Sequence, residues 1–488
     1  MKVNLMFADK DFVIESESCF HRENLLKDLG LKYIISAMAQ GDEIISQSCS
    51  TALLNPLVSI ETIRYRQEIL KDTLNNRETV LELYQVAIET EKKVRESWYW
   101  LSTAYLSSTM ANAIGLLKIY IEMLMKLRKI ADNNLSKFQS SGFKNFFSTL
   151  QRELGDHYFN EVNEYLNNLS KKEGVLVSAS LGSYLQGVRY VYRYPKAKGF
   201  WRRWAFAPAY TLDPRDELGA IDLGKRRDRA INEVVNGLAQ AAEHLQSFFA
   251  LLQRELAFYV GCINLASILE GIKMPICIPE LLPMDRNERS YTGLYDGGLA
   301  LTKGEIVVGN DLDSIDKLLF IITGANQGGK TTFLRSIGQG QLMAQCGMFV
   351  CGEKFIAPIR SGVFTHFKKE EDGSLEKGKL DEELSRMNRI IEEIHGGALM
   401  LFNESFASTN EYEGSEISKQ ITKGLTHSNV EVFFVTHFYT YATAFLNDPK
   451  TEFLKAERLE NGERTFKIIP GKPERIAFSE DIYRKIFF

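Results

Sequence analysis

Gly324-Ala325-Asn326-Gln327-Gly328-Gly329-Lys330-Thr331 sets the architecture expected of this chain. It satisfies G-x-x-x-x-G-K-[ST] at every position. The apolar run Leu318-Leu319-Phe320-Ile321-Ile322 precedes it and a helix-like segment, Thr332 to Met343, follows, so strand, glycine loop and helix come in the order the motif needs. Glycines let backbone N–H groups close around a phosphate, and the N-terminus of the next helix adds partial positive charge. Gly324, Asn326, Gly328, Gly329, Lys330 and Thr331 are the expected phosphate cradle, with Thr332 helping to hold the phosphates. Lys330 is expected to reach the β- and γ-phosphates, and the Thr331 hydroxyl to hold Mg2+; the ligands implied are ATP and Mg2+.

Two further apolar runs follow. Ala398-Leu399-Met400-Leu401-Phe402 ends in Asn403-Glu404. A buried strand beside a phosphate loop usually presents a carboxylate to the Mg2+ shell and then a glutamate to the attacking water. Here the metal position is Asn403, whose amide oxygen can hold a metal-bound water but brings no charge. Glu404 is the expected water-activating base. Val430 to Val435 ends in Thr436-His437, and His437 at that strand end can sense the γ-phosphate. With Lys330, these two make the expected catalytic set. Ser405 to Gly414 reads as a polar loop, with a helix from Ser415 to about Thr426.

The chain has 488 residues, enough for about three domains. Its net charge of −4 does not announce a nucleic-acid binder, although a local basic patch could still act as one. None of the six cysteines forms a C-x-x-C pair, which fits thiols in a reducing compartment. No basic-then-apolar leader opens the chain and no apolar run reaches about 18 residues, so a cytoplasmic protein without membrane spans is expected.

Residues 1–285 read as almost wholly helical, and 286–488 as alternating strands and helices. Long amphipathic helices are expected over Ile60 to Glu91, Ala111 to Phe138 (with the stripe Ile114, Leu117, Ile121, Leu124) and Ala230 to Leu265. Their length suits an extended lever. They are interrupted at about 174–229, where Gly174 to Ser180 and Val188 to Tyr194 are strand-like. From Arg189 to Arg203, six basic residues (Arg189, Arg193, Lys196, Lys198, Arg202 and Arg203) interleave with aromatic residues and no acid. Such a stretch can neutralise phosphates and pack on sugars or bases; it can equally be a solvated ribbon with one aromatic face.

Taken together these residues resemble the MutS family. Gly324 to Thr332 is similar to its phosphate loop, with Ala325 and Gln327 substituted, and Asn403 to Gly414 to its D-E-x-x-x-x-T-S-T-x-D-G segment, with Asn403, Asn410, Glu411 and Glu413 substituted. Val435-Thr436-His437 is similar to its A-T-H switch, and Phe364-Thr365-His366 to its F-T-R segment. Ala52 to Leu57 followed by Ile60, Ile63 and Arg64 resembles the start of its helical core. The resemblance implies an α + α/β protein: a long-helix core and lever domain with a small clamp-like β insertion, then a P-loop ABC-type ATPase domain. It implies a homodimer in which Ser408, Thr409 and Asn410 approach the other subunit's nucleotide. It also implies double-stranded or branched DNA as partner, held near the basic ribbon. The likeness begins at the helical core, so the mismatch-recognition and connector domains are expected to be missing. Two other readings stay open: a nucleotide-gated binding protein with little turnover, motivated by Asn403, and an ATPase acting on protein partners.

Overall fold

The computed structural model describes residues 2–14, 22–97, 106–170, 177–183, 187–192, 213, 215–369, 378–459 and 464–473. It is a mixed helical and sheet protein with two compact units. One comprises Met1–Val3, Glu78–Gln139 and Phe143–Gln253; the other Asn4–Arg77, Ser140–Gly142 and Arg254–Phe488. This division departs from the boundary expected near residue 285. The N-terminal helices up to Arg77 belong with the sheets, for reasons that lie in the helix after the glycine loop.

In the first unit, Leu106–Asn134 buries the expected stripe, Ile114, Leu117, Ile121 and Leu124. Phe138, Phe143, Phe146 and Phe147 form an aromatic cluster with ring centroids 4.5 to 5.8 Å apart. Within the region expected to interrupt the helices, Val177–Leu181 pairs antiparallel with Gly187–Tyr192. The helix expected from Ala230 is longer, Glu217–Gly271. Its Ile231–Gly271 stretch is long and apolar enough to cross a membrane by length and composition, but 78% of the apolar window is buried inside the protein, as in a core helix. The helix expected over Ile60 to Glu91 is two, Ile60–Asn75 and Arg77–Glu96. At the break, Asn76 turns its side chain back to the Asp72 carbonyl at 3.0 Å, the local competition that makes Asn a poor helix former.

In the second unit the six-stranded sheet runs Val363–Phe367, Leu399–Asn403, Glu431–Val435, Leu319–Thr323, Thr451–Arg458, Arg464–Pro470. The first five strands are parallel and the last is antiparallel. Parallel strands covered on both faces need continuous apolar runs, and Leu319–Thr323, Leu399–Asn403 and Glu431–Val435 are buried along nearly their whole length. A four-stranded sheet contains Glu280–Leu282, Lys354–Pro358, Glu288–Leu294 and Asn310–Ile315.

The helix Lys330–Gln345 sits deep in this unit, and its buried glutamines are all paired. Gln339 donates to the Leu29 carbonyl at 2.8 Å and to Asp296 at 2.6 Å. Gln345 donates to the carbonyls of Leu57 at 2.9 Å and Arg360 at 2.8 Å. The segment before Arg77 is thereby tied to the helix, since a buried amide left unpaired costs about 1–3 kcal/mol.

Glu431 opens the central strand and is buried between two buried guanidinium groups. Arg289 grips it with Nε on Oε1 at 2.5 Å and Nη2 on Oε2; Arg360 Nη2 lies 3.1 Å from Oε2. Burial raises the Glu431 pKa, and the charges of Arg289 and Arg360 more than reverse this, holding it below its ordinary value. A carboxyl with a depressed native pKa lends stability above its unfolded pKa and loses it as pH falls through the native one. Glu431→Gln, which strands both arginines, is therefore expected to cost about 3–5 kcal/mol at neutral pH in denaturant unfolding. The difference from wild type should shrink once pH drops below about 4; a constant difference down to acid would exclude Glu431 as the titrating group.

Candidate nucleotide site

Register builds this site. Asn403 pairs with Val435, and Val435 with Ile322, so three adjacent parallel strands end level. Each then releases its polar residues at the same carboxyl edge, where ligands of open α/β sheets bind.

The glycine loop leaves that edge under steric constraint. Gly324 has φ +116°, and a Cβ there would lie 2.9 Å from the Ala456 nitrogen; one on Gly328 would lie 2.7 Å from the Ala456 Cβ. A side chain at either position would displace the loop from the Thr451–Arg458 strand. Gly329 caps the helix Lys330–Gln345 without a side-chain hydrogen bond, and no acid stands in the first turn. Its amides are thus free of side-chain competition for an anion.

Lys330 is 5% exposed. Its Nζ donates to the carbonyls of Gly324 at 2.7 Å and Ala325 at 2.9 Å. Burial pushes its pKa down to about 8, opposed by the Glu404 charge and helped by Arg464. A buried ammonium satisfied only by carbonyls, beside an uncapped helix end, is complementary to a polyphosphate. Asn326 is exposed in the loop and Thr332 is half-buried in the first helical turn.

Thr331 and Asn403 meet: the Thr331 hydroxyl donates to Asn403 Oδ1 at 3.0 Å. Among the described residues no group of three His, Cys, Asp or Glu side chains could hold a metal by itself. The chain offers a hydroxyl and an amide oxygen, which fits Mg2+ keeping waters and phosphate oxygens in its shell.

Glu404 and His437 also meet, with Glu404 Oε1 2.8 Å from His437 Nε2. The His437 hydrogen bond holds the Glu404 carboxyl below its ordinary pKa; burial opposes this, and the charges of His437, Lys330 and Lys368 add to it. Glu404 has φ +50° and Phe406 φ +61°, a left-handed conformation costing about 1–3 kcal/mol at each non-glycine residue.

The loop beyond is shorter than expected. The helix Glu411–His427 starts before Ser415 because Asn410 caps it, accepting from the Glu413 amide at 3.0 Å, and Glu411 and Glu413 favour the first turn. Ser408 donates to Glu383 at 3.2 Å and Thr409 to Glu413. All three side chains thus bond within this chain. In the basic ribbon, Arg189 is exposed on Gly187–Tyr192, while Arg193, Lys196, Lys198, Arg202 and Arg203 lie outside the described residues.

Two features have no role assigned by the sequence pattern, although His366 stands in the quoted Phe364-Thr365-His366 segment. Arg464, on the last strand, donates from Nη1 to Gln327 Oε1 at 2.9 Å and brings a second cation to the loop. His366 is buried against Ser405, next to Glu404. The described cysteines, Cys49, Cys262, Cys277, Cys346 and Cys351, are free thiols.

Two family models match. The MutS2 N-terminal domain covers residues 58–272, and MutS domain V covers residues 320–469. Among curated relatives, the DNA mismatch repair protein MutS of Thermotoga maritima is 29% identical over 163 residues, 33% of this chain and 21% of that protein. The endonuclease MutS2 of Streptococcus agalactiae is 30% identical over 172 residues, 34% of this chain and 22% of that protein. The aligned part thus spans about a fifth of the length of these relatives. The matched domains carry the glycine loop's helix, Asn403, Glu404 and His437 as well as the long helices, and on that ground the chain belongs to the MutS family.

Proposed function

We propose that this chain is an ATP-dependent DNA-binding protein of the MutS type, with ATP hydrolysis coupled to clamping on branched, mismatched or damaged duplex DNA in repair or recombination. The observation that carries the reading is the convergence of the Lys330 cradle, the Thr331–Asn403 bond and the Glu404–His437 pair on one sheet edge. In this reading Lys330 and the amides from Gly328 to Thr331 bind the phosphates, with Gly324, Asn326 and Thr332 completing the cradle. Bound Mg2+ supplies charge neutralisation at the phosphate oxygens. Thr331 and Asn403 orient the metal's shell. Glu404 accepts the proton of the attacking water, and His437 aligns the carboxylate and reads the γ-phosphate.

The protein acts as a cytoplasmic homodimer, with Ser408, Thr409 and Asn410 approaching the partner's nucleotide. The ribbon from Arg189 to Arg203 contacts DNA backbone, and the helix Glu217–Gly271 is the lever. Asn403 favours a second reading, a nucleotide switch with little turnover, because the metal position carries no charge.

Hydrolysis measured at fixed low salt without DNA, and with plain duplex, mismatched duplex and a four-way junction, tests the coupling. The junction is expected to stimulate and the mismatch to do no more than plain duplex. Glu404→Gln should lower turnover by about 10²–10⁴-fold with ATP binding retained. Intact ATP binding with no stimulation by any DNA would move the reading to a switch or a protein-directed ATPase.

Lys330 makes binding pH-dependent. Below pH 8 it is charged; above pH 8 it must take up a proton to meet the phosphates. ATP affinity should therefore fall by up to about tenfold per pH unit from pH 8 to 10, with proton uptake visible as buffer-dependent heats in calorimetry. Lys330→Met should bind weakly without that slope.

Asn403→Asp adds the missing charge. The Mg2+ concentration for half-maximal turnover is expected to drop severalfold, and a marked rise in maximal turnover would favour the switch reading.

A further inference from the structure

Ser405, between the left-handed residues Glu404 and Phe406, is 1% exposed. Its hydroxyl donates to the His366 carbonyl at 2.5 Å and stands 2.8 Å from His366 Nδ1. The other ring nitrogen, Nε2, lies 3.1 Å from the Glu383 carbonyl and 3.4 Å from Arg386 Nη2, so the imidazole bridges Ser405 and the backbone at Glu383. The imidazole stacks on Phe406, with centroids 5.2 Å apart and planes at 20°. Both residues after Glu404 therefore end on one side chain. A third tie comes from the helix Lys379–Glu393, whose Glu383 accepts from Ser408.

His366 does not act as an acid or base near neutrality. Burial, with the charges of Arg386 and Lys369, pushes its pKa down to about 3. Its chemistry is that of a fixed neutral ring, hydrogen-bonded at both nitrogens.

We propose that His366 is a positioning residue: through Ser405 and Phe406 it holds the turn Glu404–Phe406 in its left-handed form, and so sets the Glu404 carboxylate against His437 at the edge of the phosphate cradle. The proposal rests on Glu404 as the water-activating base. The turn pays for two unfavourable backbone conformations, and without the side chains that over-determine them Glu404 would relax toward ordinary dihedrals. An angstrom of drift at a base is enough to lose turnover by about 10²-fold, whereas phosphate binding, made by the glycine loop, is untouched.

His366→Ala, His366→Asn, Ser405→Ala and Glu404→Gln decide the matter. His366→Ala and Ser405→Ala should each lower kcat for ATP about tenfold to a hundredfold with KM unchanged. His366→Asn, whose amide takes the place of Nδ1 toward Ser405, should recover most of it. In nucleotide-free protein, amide hydrogen exchange over residues 403–410 should quicken in both alanine variants while that over 319–330 stays as in wild type. Ser405→Ala keeps the test open if His366→Ala fails to fold. The inference is overturned if Glu404→Gln abolishes hydrolysis but both alanine variants keep wild-type kcat and exchange. It is equally overturned if the loss falls on KM, or if Asn fails to rescue. Hydrolysis untouched by Glu404→Gln would instead remove the base reading, and the positioning role with it.

Discussion

One buried carboxylate fixes the register on which the site depends. Glu431 lies between Arg289 and Arg360, with Arg289 Nη1 also bonded to the Tyr291 hydroxyl and to Gln341 at 3.1 Å. Burying three charges costs several kcal/mol per ion, and their attraction offsets that only in this arrangement, so the cluster's worth lies in specificity. A slip of the Glu431–Val435 strand by one residue would turn Glu431 to the other face and strand two guanidinium groups. The same slip would carry Thr436 and His437 away from Asn403 and Glu404. Order at the amino end of the strand is thus what aligns the chemistry at its carboxyl end.

The helix after the glycine loop plays a matching role. Its interior glutamines break the apolar pattern of a buried helix, yet each finds carbonyls on elements distant in sequence: Leu29, Leu57, Pro358 and Arg360. The glycine loop is therefore joined, through one helix, to the N-terminal helices. A compact unit that ignores the apparent division of the chain at residue 285 is the direct result.

At the site itself the groups proposed for binding and those proposed for turnover are built differently. The cradle is covalently local, made by residues within one loop and held by crowding against Ala456. The groups to which the proposed function assigns turnover come from different strands: Asn403 bonds Thr331, Glu404 meets His437, and Ser405 meets His366. Asn403 accepts from Thr331 as a carboxylate would and carries no charge, so under the proposed function its effect falls on metal affinity before shape.

The sequence by itself determined the strand–loop–helix unit at Gly324 to Thr331, the two following strand ends with Asn403-Glu404 and Thr436-His437, and the helical character of the first half. These are legible because each is a local pattern: fixed motif spacing, apolar runs long enough to be buried strands, and a 3.6-residue stripe. The start of the helix at Glu411 was missed, although an asparagine cap followed by two acids signals it. Only the tertiary structure decided that the helices before Arg77 join the sheets, that Arg464 reaches Gln327, and that His366 meets Ser405 and Phe406 behind Glu404. Such contacts join residues from 39 to 310 positions apart through single side-chain hydrogen bonds, buried at His366 and Gln339 and exposed at Gln327. A one-dimensional pattern carries periodicity and spacing; it does not carry which distant donor a buried acceptor will find, because that is settled by packing the whole core at once.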